Sequence, residues 1–106
     1  MTNSESIEQI TFINWFRANY PNEIIYAIPN GGLRHKTTAQ TLKAEGVLAG
    51  VCDLHIPSRL LYIEMKRTKG GVLAPEQRKF IDYINNETPQ TAIVCNGWED
   101  AKCSLK

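Results

Sequence analysis

Cysteine is scarce in this sequence, and what there is does not pair. Cys52, Cys95 and Cys103 form no Cys-x-x-Cys couple, so neither a disulfide framework nor a structural zinc site is indicated, and a reducing compartment is the simplest reading. Long apolar runs are missing too: no segment approaches the roughly 18 consecutive apolar residues of a membrane span. The opening MTNSESIEQI has no basic stretch followed by an apolar one, so it does not read as a targeting segment, and a cytoplasmic location is expected. An excess of one charge is also lacking. Twelve Lys and Arg stand against eleven Asp and Glu, a net charge of +1, which excludes a polybasic tail, an acidic disordered chain and nucleic-acid coating by bulk electrostatics. Repeats and low-complexity tracts are absent.

What is present is 106 residues, 42% hydrophobic and 22% charged, the composition of one soluble globular domain over residues 1–106 that buries roughly 60 to 70% of its unfolded surface. The near-neutral total conceals an asymmetry. Residues 34 to 79 hold nine basic side chains and four acidic ones, so the middle of the chain is basic and its ends are acidic.

Hydrophobic spacing and turn residues divide the chain into elements. Ser4 or Ser6 before Glu5 and Glu8 opens a helix over 4 to 19, with apolar positions 7, 10, 13 and 16 at helical spacing and Pro21-Asn22 as its stop. EIIYAIPN reads as a strand halted by Pro29, Asn30, Gly31 and Gly32, and 35 to 45 as a short polar helix. VCDLHIP (51 to 57) and LLYIEMK (60 to 66) predict an antiparallel hairpin around Pro57-Ser58-Arg59. After Gly70-Gly71, Pro75 suits the first turn of a helix over 74 to 86; TAIVCN (91 to 96) is a last strand, and 97 to 104 a closing helix. This order predicts an α/β fold with a mixed central sheet flanked by helices.

Alternation along 60 to 66 puts Leu61, Ile63 and Met65 on a core face and Tyr62, Glu64 and Lys66 on the other, Glu64 and Lys66 being roughly 6.6 to 7 Å apart. The hairpin partner can set Asp53 across from Glu64. Two carboxylates and a lysine then converge. Hard oxygen ligands such as Asp53 and Glu64 suit Mg²⁺ or Mn²⁺, and Lys66 is fit to orient an attacking water or stabilise a charged transition state, a combination used in phosphodiester hydrolysis. A solvated polar strand face would carry the same three residues.

Other signals are weaker. The PNGG turn with Arg34, His35, Lys36 and Thr37 fails as a nucleotide-binding P-loop, because His35 stands where the glycine before Lys-Ser/Thr is needed. Asn30 to Lys36 reads either as a loop contacting a nucleic-acid backbone or as a solvated turn; in the first case Asn30, Arg34, Lys36 and Lys43 are phosphate partners, with Arg67 and Lys69 continuing the basic set. His55, two residues past Asp53, is a third ligand or a half-exposed strand histidine. Trp15 and Trp98 lie in amphipathic helical patterns and receive no site role.

Asp53, ten residues, Glu64, one residue, Lys66 resembles the active-site motif of the PD-(D/E)xK nucleases. The longer stretches EQITFINWF, IPNGGLRHK, LKAEGVLAGVCDL, LYIEMKRTKGGVLAPEQ and VCNGWEDA resemble the virus-type replication-repair nuclease domain, VRR-NUC, from about Glu5 to Ala101. The resemblance implies a restriction-endonuclease-like core and a stand-alone, bacteriophage-type endonuclease that cuts DNA, branched or four-way-junction DNA above all. It implies Mg²⁺ or Mn²⁺ held by Asp53, Glu64 and the backbone carbonyl of Met65, with Lys66 as the motif lysine. It further implies an acidic residue from the first helix, Glu5 with Glu8 as the alternative, and Gln77 at the edge of the site. A catalytically silent DNA-binding or scaffold module of the same fold is the rival reading, against which intact Asp53, Glu64 and Lys66 speak. Two departures affect stability more than chemistry: Cys52 stands where the family usually has proline, and Ala74 replaces a helix-capping serine typically worth ~1 kcal/mol. A homodimer is expected as well, since one candidate metal site must serve two strands of a junction. Its interface is sought in the apolar surplus of the first helix, Phe12, Trp15 and Phe16, which a buried core helix would also explain.

Overall fold

A computed structural model describes residues 3–29 and 36–105, and their side chains except those of 36–39. The elements run α1 (Glu5–Asn19), β1 (Tyr26–Ala27), α2 (Lys36–Ala44), β2 (Leu54–Ile56), a 3₁₀ turn (Pro57–Arg59), β3 (Leu61–Lys66), α3 (Pro75–Glu87), β4 (Thr91–Asn96) and α4 (Trp98–Ser104). The sheet order is β1-β2-β3-β4, antiparallel at the first two junctions and parallel between β3 and β4. The parallel junction follows from the connection: α3 crosses one face of the sheet between the two strands, as a parallel pair requires. Among the described residues no helix is long and apolar enough to cross a membrane.

Two clusters of apolar side chains fix the layers. On one face Phe12 and Phe16 of α1 and Ala101 of α4 close over Leu54, Ile56, Leu61, Ile63, Met65 and Cys95. On the other, Ile81 and Ile84 of α3 pack with Cys52 and Ala92, and Tyr62, Phe80 and Val94 lie against them. Both faces of β3 are therefore covered, which removes the alternative of a solvated polar face: Glu64 is 1% exposed and Lys66 6%.

α1 begins where Ser4 Oγ accepts from Ile7 N at 3.2 Å, a side-chain N-cap. Its buried face matches the expected one only in part: Phe16 is buried and Ile13 packs against the core. Glu8, Phe12 and Phe16 are buried, whereas Ile7 and Ile10 are 50% and 56% exposed. The helix carries apolar residues on several faces, and the side with two phenylalanines buries more area than the side with isoleucines, so it takes the core. Phe12 and Phe16 are consequently spent inside this chain and are not free to form the expected dimer interface. Trp15 lies partly buried against the same cluster, with its ring 6.0 Å from Phe12 and 5.8 Å from Tyr20.

The first two predicted strands are shorter than their sequence patterns, whereas β4 spans the expected 91 to 96. Arg17 Nη2 donates to Ile25 O at 3.2 Å, so α1 takes the carbonyl that would extend β1 backwards. Beyond Ala27, Ile28 N donates to Asp53 O at 2.8 Å. β2 starts only at Leu54, because Asp53 gives its side chain, rather than its backbone, to β3: Oδ2 accepts from Met65 N at 2.8 Å. At the far end of the hairpin Arg59 holds Glu23 through Nε and Nη2, both at 2.8 Å, with its guanidinium carbon 4.8 Å from the centre of the Tyr20 ring.

β4 is an edge strand, and side chains take outward backbone groups near both its ends. Asn85 of α3 donates to Ala92 O at 2.9 Å and accepts from Ala92 N at 2.7 Å, and Asp100 Oδ2 accepts from Asn96 N at 2.8 Å.

Gly50 sets the start of α3. At φ +95° a Cβ built there would lie 2.5 Å from the carbonyl oxygen of Glu76 and 2.6 Å from its carbon, so the glycine lets the loop touch the helix backbone. Gly46, at φ +105°, has nothing within 4 Å of a built Cβ. Gly50→Ala should therefore lower stability by more than the ~1 kcal/mol of backbone strain expected of Gly46→Ala. Comparing the two melting curves by circular dichroism isolates the clash, and equal midpoints would remove it.

Candidate active site

The hairpin register, Leu54 opposite Ile63, sets Asp53 opposite Glu64. Asp53 Oδ2 is fixed by Met65 N. In an antiparallel pair a residue directs its N–H and its carbonyl to the same neighbour, so the Met65 carbonyl also faces the Asp53 side. The Met65 side chain, on the opposite pleat, is fully buried in the core.

Gln77 ties the polar groups together. Its Nε2 donates to Glu64 Oε2 at 3.1 Å, while its Oε1 accepts from Lys66 Nζ at 3.0 Å and from Ala74 N at 2.9 Å. The last bond is half of a capping box: with Pro75 at the first helical position, Gln77 is the third and reaches back to the N-cap residue. Ala74 itself supplies no side-chain cap, so the departure from serine leaves Gln77 as the tie at this helix end. Lys66 Nζ lies 3.7 Å from Glu64 Oε2. Behind Lys66 the loop crosses closely, since a Cβ on Gly71 would come 2.9 Å from Lys66 Cβ.

Glu64 is left with an unmet demand. Its Oε1 is buried without a hydrogen-bond partner among the described residues, a costly state for a carboxylate oxygen. Burial, then the neighbouring Asp53 carboxylate, pushes its pKa up to about 8; Lys66 pulls it down and Glu5 adds a further upward push. Such an arrangement has the chemistry to hold a divalent cation. Asp53, Glu64 and the Met65 carbonyl form a hard-oxygen donor set, and the orphaned Oε1 is the oxygen a cation would satisfy. Among the described residues no three His, Cys, Asp or Glu side chains are grouped as a metal cage. An ion held here would draw the rest of its shell from water and substrate oxygens, as Mg²⁺ does.

The other expected site residues are placed differently. Glu5 is exposed at the start of α1, close enough for its charge to be felt at Glu64. Glu8, the alternative, is buried and committed elsewhere, Oε1 accepting from Trp98 N at 2.8 Å. His55 is engaged through both ring nitrogens, Nδ1 with the Tyr26 hydroxyl at 2.7 Å and Nε2 with Gln90 Oε1 at 2.8 Å, and stacks on Tyr62 at 4.2 Å. It acts as a tie between strands, which rules out the third-ligand reading. Asn30, Arg34 and the side chain of Lys36 lie outside the described residues. Lys43 lines an apolar cleft of about 900 Å³ between residues 42–49 and α3. Arg67 Nη2 donates to Gly70 O at 3.1 Å and closes its own turn. Lys69 is exposed and lines a polar cavity with Glu8, Asn96 and Trp98. The geometry thus joins Asp53, Glu64, Lys66 and Gln77, sets Glu5 at their edge, and leaves Lys43 and Arg67 with other neighbours.

A mixed four-stranded sheet covered by helices on both faces, with Asp53 and Glu64 facing each other from its two middle segments, defines an α/β domain. More narrowly, the fold is that of a VRR-NUC domain: the chain matches the solved structure of a VRR-NUC domain protein with a TM-score of 0.74, over 99% of this chain and 87% of that one, at 22% sequence identity. No family model and no curated protein matches the sequence.

Proposed function

We propose that this chain is a divalent-metal-dependent endonuclease that hydrolyses DNA phosphodiester bonds, with branched DNA such as four-way junctions as its substrate class. The observation that carries this reading is the buried Glu64 Oε1, which lacks a hydrogen-bond partner among the described residues beside Asp53 and a lysine already held in place. Mg²⁺ or Mn²⁺ would be held by Asp53, Glu64 and the Met65 carbonyl, and when bound lowers the pKa of a coordinated water and offsets phosphate charge. Asp53 enters this arrangement held at Oδ2 by Met65 N, so it has less freedom to lose. Lys66, anchored through Gln77 Oε1 and near Glu64, keeps further N–H donors for an attacking water or for charge growing on the phosphoryl oxygens. Gln77 orients both Glu64 and Lys66, and Glu5 adds a third carboxylate at the rim.

Labelled single-stranded, duplex, flap and four-way-junction DNA, incubated with EDTA, Ca²⁺, Mg²⁺ or Mn²⁺, tests the proposal. Cleavage with Mg²⁺ or Mn²⁺ and none with EDTA is expected; an absence of cleavage across the panel overturns it. Paired incision of a junction calls for two copies, so light scattering on the junction complex should report the mass of the DNA plus twice the 12.0 kDa chain.

Binding without cleavage should fall steeply with salt despite the net charge of +1. Neutralising Arg34, Lys36 or Lys69 singly should reduce the slope of log K against log salt by about 0.9 for each phosphate that is no longer neutralised. Unchanged slopes in all three would move the binding surface elsewhere.

A further inference from the structure

The buried side of α1 starts with a charge. Glu8, Phe12 and Phe16 are the buried residues of that helix, and ahead of the two phenylalanines stands a carboxylate that is 3% exposed. A carboxylate is costly to bury unless hydrogen bonds answer it, and an apolar side chain would fill the same space without that cost. Its partner accounts for its presence. Oε1 accepts from Trp98 N at 2.8 Å, the first amide of α4, whose N-cap residue Gly97 supplies no side-chain bond of its own. Glu8 thus caps α4 from another helix, at the end where unpaired amides favour a negative charge.

The turn held in this way is also the one that closes on Lys66. Lys66 is the last residue of β3, and Gly97 N donates to its carbonyl at 2.9 Å. At φ +100° a Cβ on Gly97 would lie 2.6 Å from Thr68 Cγ2 and 3.3 Å from Glu8 Oε1, so glycine is what lets Thr68 and Glu8 both close on the turn. Lys66 is therefore fixed at two points: its Nζ by Gln77 Oε1 at 3.0 Å, its carbonyl by Gly97. The first tie belongs to α3, and the second depends on α1.

From this chain of contacts we infer that Glu8 is a positioning residue: by holding the Gly97-Trp98 turn it fixes the end of β3 from which Lys66 acts. The inference rests on the nuclease reading above, in which Lys66 donates to an attacking water or to phosphoryl oxygens, and it gives Glu8 a part other than that of a metal-binding carboxylate. What the turn needs from Glu8 is an acceptor at the right distance, not a charge at the metal. A misplacement of about 1 Å at a reacting group costs on the order of 10²-fold in rate, whereas substrate binding through other basic side chains is untouched. The signature of a loosened turn is a fall in kcat at constant KM.

Two variants separate acceptor from charge. Glu8→Gln keeps an oxygen for Trp98 N, and Glu8→Met keeps the bulk of the side chain without one. In the metal-free full chain, NMR should show the Gly97 and Trp98 amides of Glu8→Met exchanging about tenfold faster or more, relative to amides at the centre of β3, together with a displaced Lys66 Nζ resonance. Glu8→Gln should match the wild type in both. With Mg²⁺ and junction DNA, Glu8→Met should lose about tenfold or more in kcat with KM unchanged, and Glu8→Gln should cleave like the wild type. Gly97→Ala, which pushes the same turn against Thr68, should repeat the Glu8→Met pattern and carries the test if Glu8→Met does not fold. Unchanged exchange at Gly97 and Trp98, or wild-type turnover by a folded Glu8→Met protein, overturns the inference. So does a Glu8→Gln protein as inactive as Glu8→Met, which would make the carboxylate itself a ligand. A wild-type protein that cuts no DNA defeats the nuclease reading instead, and the amide and Lys66 signals then judge the tie by themselves.

Discussion

Glu64→Gln should abolish cleavage and at the same time make the metal-free protein harder to melt. The loss follows from the proposed donor set: the amide cannot replace the charge of the carboxylate beside Asp53, and a fall in turnover of at least about 10²- to 10³-fold is expected. The gain follows from burial. Glu64 is raised from 4.5 to about 8 by desolvation and by Asp53, so the folded state binds a proton that the unfolded state has lost. Between these values stability must fall as pH rises: the contribution is complete below pH ~4.5 and gone above ~8. In EDTA the wild-type melting midpoint should therefore drop from pH 5 to pH 8, by an amount corresponding to a few kcal/mol, and the Glu64→Gln protein should lose much of that dependence. Asp53→Asn should likewise end cleavage, since it removes the second carboxylate while retaining an oxygen for Met65 N. Near-wild-type turnover by either protein would defeat the proposed site.

Met65→Asp should not fold at all, although Met65 belongs to the same proposed donor set. The backbone of Met65 serves the site and its side chain serves the core, where it is fully buried among Phe12, Phe16 and Ile63. A carboxylate there has no partner, and its desolvation approaches the whole stability of a domain this size, about 5 to 15 kcal/mol. Met65→Leu keeps volume and polarity and should cost less than ~1.5 kcal/mol; because the carbonyl is untouched, cleavage should persist. Far-UV circular dichroism and the cleavage assay together separate the two roles. A folded Met65→Asp protein, or a folded but inactive Met65→Leu protein, would contradict the division.

The order of elements was readable in the sequence because Pro21, Pro57, Gly70-Gly71 and Pro75 punctuate segments with distinct periods. The pairing of Asp53 with Glu64 was readable too, since a three-residue connection leaves a hairpin little choice of register. Burial was harder to see. Glu64 and Lys66 look like a solvent face when β3 is read alone; only the return of α3, with Gln77 reaching over them, makes that face internal. The rotation of α1 was equally hidden, because Ile7, Ile10, Phe12, Ile13, Trp15 and Phe16 support more than one apolar stripe. What decides among them is the area each side chain can bury against a sheet that the helix sequence does not describe. The shared work of Gln77, as cap for α3 and as tie between Glu64 and Lys66, depends on distances across two elements and has no local pattern.

The side chains along β4 bear on how copies of this protein can meet. A bare sheet margin invites another strand to add to it, within a dimer or in an aggregate. Here Asn85 already makes, to both backbone groups of Ala92, the bonds an incoming strand would make, and Asp100 takes the amide of Asn96. With outward positions recurring every second residue, only Val94 lies between two occupied places, too short a stretch for a ladder. A continuous eight-stranded sheet across this margin is thereby disfavoured, and two copies that associate must do so through another surface.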